Sequence, residues 1–181
     1  MNRNRILKYL STTFITYFLL IGSLTGAYAQ KVNISEMVDS LHYIKGDTLD
    51  CNADIYWRII AQGDKAIPFL IQKLDDTTNT NIHFICKNGT LNVAEIAYKA
   101  LDEIVILPMA VIVPHIQFDH FDGDGCWSFY KYFYINNNKA AFKKNMNEWY
   151  SPNRFRIKKI SKVNMTDCRL KYKIFNYYKA R

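Results

Sequence analysis

Acidic residues are nearly absent from both ends of the chain. The first 29 residues hold Arg3, Arg5 and Lys8 but no Asp or Glu, and residues 139–181 hold thirteen Lys or Arg against only Glu148 and Asp167. Other absences exclude whole classes of function. After the N-terminal apolar stretch there is no second long apolar run, so the remainder reads as soluble rather than integral to a membrane. No two cysteines have the short C-x2-C spacing that zinc sites favour, which excludes a structural zinc reading. There is no nucleophile elbow and no H-E-x-x-H pair, so no catalytic residue, metal or cofactor is assigned. No cysteine closes the N-terminal apolar run, which excludes a lipid-anchored lipoprotein.

What is present begins with an export signal. Three cations precede an apolar run over about 9–24, and Ala27-x-Ala29 supplies the small side chains that the signal peptidase requires. Cleavage after residue 29 leaves 152 residues beginning at Gln30, enough for one domain with a real core. The protein is therefore expected to work in the periplasm or outside the cell. Export makes nucleic acid a poor natural partner for its basic segment.

The charge is uneven. Residues 30–138 carry eight Lys or Arg against fourteen Asp or Glu, a net −6, whereas 139–181 carry +11. An acidic body is thus joined to a basic C-terminal segment. The two parts are expected to pack on each other, because apolar residues interrupt the basic run; a surface for a polyanion is the alternative. The four cysteines, Cys51, Cys86, Cys126 and Cys168, read as disulfides in an oxidising compartment. Of the three possible pairings, Cys51–Cys86 and Cys126–Cys168 join near neighbours and are the expected pair.

The chain reads as all-α. Helices are expected over 33–45 (capped by Asn33 with Glu36), 52–62 and 64–74, and from Asn92 (with Glu95) to about 104. Further helices are expected over 126–135, over 139–150 capped by Asn138 and broken at Ser151-Pro152-Asn153, and over 167–178 capped by Thr166. In the last, Leu170, Ile174, Phe175 and Tyr178 are expected to face inward. Residues 75–81 are turn-rich, 82–90 fit no period, and 108–117 are apolar, as short helix or extended chain.

The stretch 63–76 (GDKAIPFLIQKLDD) resembles the first helix of a HEAT-type repeat, and 92–104 (NVAEIAYKALDEI) resembles the second. The resemblance covers 63–104 alone, with a longer inter-helix segment over 77–91 and no clear second copy. It implies a compact helical domain with one HEAT-like antiparallel pair, and by analogy a protein-binding role.

Four groups of residues could carry a function. Asp119, Asp122 and Asp124 alternate as calcium ligands do, but Lys131 stands where an EF-hand loop would close with Glu. His115, His120 and Cys126 would be the core of an unrecognised hydrolase site near 115–127. The aromatic run around Trp127, Tyr130 and Tyr134 is either core or a stacking surface. Arg154, Arg156, Lys158 and Lys159, beside Trp149, form a basic surface for anionic lipid or glycan. The leading expectation is a non-catalytic adaptor or inhibitor-like domain that binds another envelope or extracellular protein.

Overall fold

Local chemistry starts the central helix. The Asn92 side chain accepts from the Glu95 amide at 3.1 Å, and the Glu95 carboxylate accepts from the Asn92 amide at 2.9 Å. This reciprocal cap satisfies donors that every helix start leaves without partners. The helix that follows, Val93–Ile104, buries the expected Val93, Ile96, Ala97, Ala100, Leu101 and Ile104, and also Ala94, Glu95 and Tyr98. A helix buried on nearly every side is a core element rather than a surface one.

The computed structural model describes residues 33–114, 126, 129–161 and 165–180. The expected export signal lies outside them. In chain order the helices are α1 (Ile34–Asp39), α2 (Asp54–Ile60), α3 (Ile67–Gln72), α4 (Val93–Ile104), α5 (Met109–Ile112), α6 (Phe129–Phe133), α7 (Asn136–Asn153) and α8 (Asp167–Lys171). Turns of 3₁₀ helix, Ser40–Tyr43 and Gly63–Ala66, extend α1 and lead into α3. Helix α4 packs on α2 and α3, while α7 packs on α3, α5 and α6. Residues from Asn33 onward form one compact unit.

The fold is not all-α. Strands β1 (Asn79–His83) and β2 (Thr90–Asn92) pair antiparallel, as do β3 (Ile157–Ser161) and β4 (Asn176–Ala180). The first hairpin fills the segment between α3 and α4, with Gly89 in the turn at φ +116°. Thr80 and Ile82 alternate inward, and the Thr80 hydroxyl donates to the Leu91 carbonyl at 2.7 Å. Strand β1 thus begins within 75–81, expected to be turn, and enters 82–90, which fits no helical period.

The second hairpin overturns the expected helix over 167–178. Helix α8 stops at Lys171, and Lys173 takes the left-handed region at φ +56°. The chain then runs extended, with Asn176 to Ala180 opposite Ser161 to Ile157. Leu170 and Phe175, expected inward, are 51% and 54% exposed. Tyr- and Ile-rich residues pair as strands when a partner strand is at hand, whatever helical spacing they also satisfy. Two boundaries also move. Helix α7 begins at Asn136, and Asn138 does not cap it but donates to the Tyr132 carbonyl at 2.9 Å. It also runs through Pro152 to Asn153, so the proline forgoes one ladder hydrogen bond and the helix ends one residue later.

The disulfides are Cys51–Cys168 and Cys86–Cys126, with Cα separations of 4.7 and 5.5 Å. The near-neighbour pairing is therefore incorrect. Loops of 117 and 40 residues are closed, which on the chain-entropy model stabilises by about 5 and about 4 kcal/mol. Short separation along the chain does not select a partner; Cα proximity in the folded state does. Around Cys51 the contact is reinforced. Its carbonyl accepts from the Lys171 ammonium at 2.7 Å and from the Tyr172 hydroxyl at 3.2 Å, and Tyr172 stacks on Trp57.

Two of the ionic contacts that bind the basic segment to the acidic body involve fully buried cations. Lys139 is fully buried and lies 3.0 Å from the Glu95 carboxylate, which Lys87 also approaches at 2.6 Å. Burial lowers the Lys139 pKa, and Glu95 opposes that shift. Arg169, also fully buried, donates to the Glu103 carbonyl and carboxylate at 2.8 and 2.9 Å and to the Asn176 carbonyl at 2.6 Å. Charges this deep persist only when paired in this way.

Candidate functional site

The basic residues of 154–159 extend from the end of α7 into β3. The Arg154 guanidinium stacks on Phe155, with 4.5 Å to the ring centroid, and Phe155 is 82% exposed. Arg156, Lys158 and Lys159 are all exposed. None of these four cations has a carboxylate within ion-pairing distance among the described residues.

The register fixes which groups β3 shows to solvent. The Tyr178 carbonyl accepts from the Ile106 amide at 2.9 Å and the Asn176 carbonyl accepts from Arg169, so both point away from β3. Opposite residues of an antiparallel pair either exchange both hydrogen bonds or turn both groups outward. Lys159, opposite Tyr178, and Ser161, opposite Asn176, therefore turn their amides and carbonyls to the outer edge. By the same alternation Ile157 does so too. Lys158 pairs with Lys179 across the hairpin, two like charges directly opposed. Such opposition is unfavourable unless an anion lies beside it. On the other face Ile157, Tyr178 and Ala180 pack towards the core. Tyr178 fits there because residue 63 is glycine: at its φ of +61°, a Cβ would come within 2.5 Å of the Tyr178 hydroxyl.

The other sequence candidates are scattered. Tyr130 and Tyr134 are half-buried and stack on each other at 5.7 Å, beside fully buried Phe129 and Phe133. The described aromatics of this run thus line the core against Tyr98 and Phe142. Trp149 is 8% exposed, at the floor of an open groove of about 610 Å³ lined also by Val111, Asn145 and Glu148. His115, Asp119, His120, Asp122, Asp124 and Trp127 lie outside the described residues. Cys126 is locked to Cys86, and no cysteine is free, which removes a thiol nucleophile from the hydrolase reading. Among the described residues no group of three His, Cys, Asp or Glu is placed to hold a metal ion.

One feature had no sequence signal beyond a polar residue within an apolar helix. Lys99 lines a cavity of about 180 Å³ with Tyr56, Trp57, His83, Phe84 and Asp102. Its ammonium sits 3.4 Å from the Phe84 ring centroid and donates to the Tyr130 hydroxyl at 3.3 Å. Burial brings its pKa down to about 8, against the pull of Asp102 and Glu103. A cation held on two aromatic faces is a packing device that makes local stability depend on pH.

The two disulfides fit an oxidising compartment outside the cytoplasm. Among the described residues no helix is long and apolar enough to cross a membrane. No protein-family model matches the chain, and no curated protein or solved structure is similar to it.

Proposed function

We propose that the chain is an exported, non-catalytic binding module that engages another envelope or extracellular protein through the basic edge of its C-terminal hairpin. The observation that carries this reading is the outer edge of β3, where outward backbone groups coincide with cations that have no carboxylate partner among the described residues. Export through a cleaved signal at 1–29 is part of the proposal, and so is the HEAT-like pair over 63–104. In support of the latter, α3 packs on α4. The β1–β2 hairpin between them departs from a simple HEAT turn.

A second reading has its own observation. Phe155 is exposed between Arg154 and Arg156, an arrangement suited to anionic lipid or glycan. Affinity capture on residues 30–181 from an envelope extract, at low and high salt, separates the two. The expected outcome is one protein captured at both salts, more weakly at high salt, and more weakly again with the Lys158→Gln/Lys159→Gln variant. Binding that disappears with salt alone, and that moves to anionic vesicles, would favour the second reading.

A further inference from the structure

Resting on that reading, we infer that the partner offers an acidic segment in extended form, which adds to the outer edge of β3 as a further strand. Three observations converge on this occupant. First, Ile157, Lys159 and Ser161 present their amides and carbonyls outward, as the Ile106–Tyr178 and Arg169–Asn176 hydrogen bonds require. Among the described residues no backbone group meets them. An open edge of this kind accepts an extended peptide through main-chain hydrogen bonds. Second, the side chains set the charge. Lys158 opposes Lys179 on the solvent face, Lys159 is exposed, and Arg154 and Arg156 lie just before the strand. An acidic side chain on the added strand, beside Lys158, would relieve the like-charge opposition that the hairpin now holds. Third, the two faces differ. Lys158 and Lys179 share the solvent face; the opposite face carries Ile157, Tyr178 and Ala180, with Lys159 next along β3. The segment that fits sets an acidic residue beside Lys158 and an apolar one beside Ile157. Five residues of β3 span about 17 Å, so a segment of five to eight residues covers the edge.

A second copy of this chain is a poor occupant. Joining two β3 edges would bring Lys158 and Lys159 of both copies together. Lysines on an edge strand also protect against that self-pairing. Protection alone accounts for the strand lysines but leaves the arginines and the exposed Phe155 beside them without a role.

The probe is a capped eight-residue peptide of alternating Glu and Val, titrated into the disulfide-bonded chain from residue 30, which holds the whole compact unit. Fluorescence anisotropy gives affinity, and amide hydrogen exchange by NMR gives the mode. The expected results are saturable binding, at least tenfold slower exchange at Lys159 and Ser161, and at least tenfold weaker binding of a peptide N-methylated at alternate residues on its pairing edge. Ser161→Pro removes an outward amide without breaking the β3–β4 ladder, so it should weaken binding while the melting temperature holds. Lys158→Gln/Lys159→Gln should weaken it through charge. Binding that is indifferent to N-methylation, with unchanged exchange, would overturn strand addition and leave a charge-based protein surface standing. No peptide binding, with binding to phosphatidylglycerol vesicles instead, would overturn both strand addition and the protein-partner reading.

Discussion

The basic C-terminal segment divides into two regions with opposite fates. Lys139, Lys143 and Arg169 contact Glu95, Asp75 and Glu103 of the acidic body. Arg154, Arg156, Lys158 and Lys159 face solvent with no carboxylate partner among the described residues. One composition signal thus covers two physical roles. Docked cations are fixed by burial and opposite charge; undocked ones are left for whatever approaches β3. From the sequence, packing and a polyanion surface are alternatives; in the structure some of the segment's cations dock on the body and others stay exposed.

The difference should be plainest on removal of a docked partner. Glu95→Gln leaves the buried Lys139 charge unmatched and weakens the α4 cap, so urea unfolding should show a loss of about 3–5 kcal/mol. Pairing Glu95→Gln with Lys139→Met should recover much of that loss; no recovery would mean that the cap, not the ion pair, dominates. Next in size is the tether that holds α8 on the body. Cys51→Ser/Cys168→Ser should cost about 2–5 kcal/mol by the same measurement. It should also speed amide exchange in β4, since β4 follows α8 directly.

A smaller effect concerns pH. Lys99 titrates at about 8 in the folded protein, below its ordinary 10.5. Between those values the unfolded chain binds more protons, so stability should rise with pH from about 8 towards 10. Lys139, lowered in the same direction, adds to that rise. Above about 10 the sign reverses. Burial raises the phenol pKa of Tyr56 and Tyr98, and that of Tyr130 to about 12, so the unfolded chain loses those protons first. Lys99→Met should flatten the rising limb and leave the falling one; an unchanged profile would show that Lys99 is not the group responsible. The smallest stability effect belongs to the undocked region. Lys158→Gln/Lys159→Gln should shift unfolding by no more than about 0.5 kcal/mol, yet it is expected to weaken partner binding.

Helix starts were the most legible part of the fold. Asn33 accepts from the Glu36 amide, Asn92 and Glu95 cap each other, and Thr166 accepts from the Arg169 amide. Each is a contact among residues three apart, so neighbours in sequence suffice to specify it. The strands were not legible, because Ile157 and Ala180 become neighbours only after the intervening chain has turned back. Within the candidate site the basic residues could be named in advance. Their lack of carboxylate partners could not, since Lys139 and Lys158 look alike until burial separates them.

The sequence by itself determined the helix caps, the apolar stripe of α4, the even set of cysteines suited to disulfides, and the division into acidic body and basic segment. These rest on composition and on interactions within one or two turns. Only the tertiary structure decided that Cys51 meets Cys168, that 176–180 is strand, and that no described residue pairs with the outer edge of β3. Each depends on which distant residues come within a few ångströms, and local propensity carries no information about that.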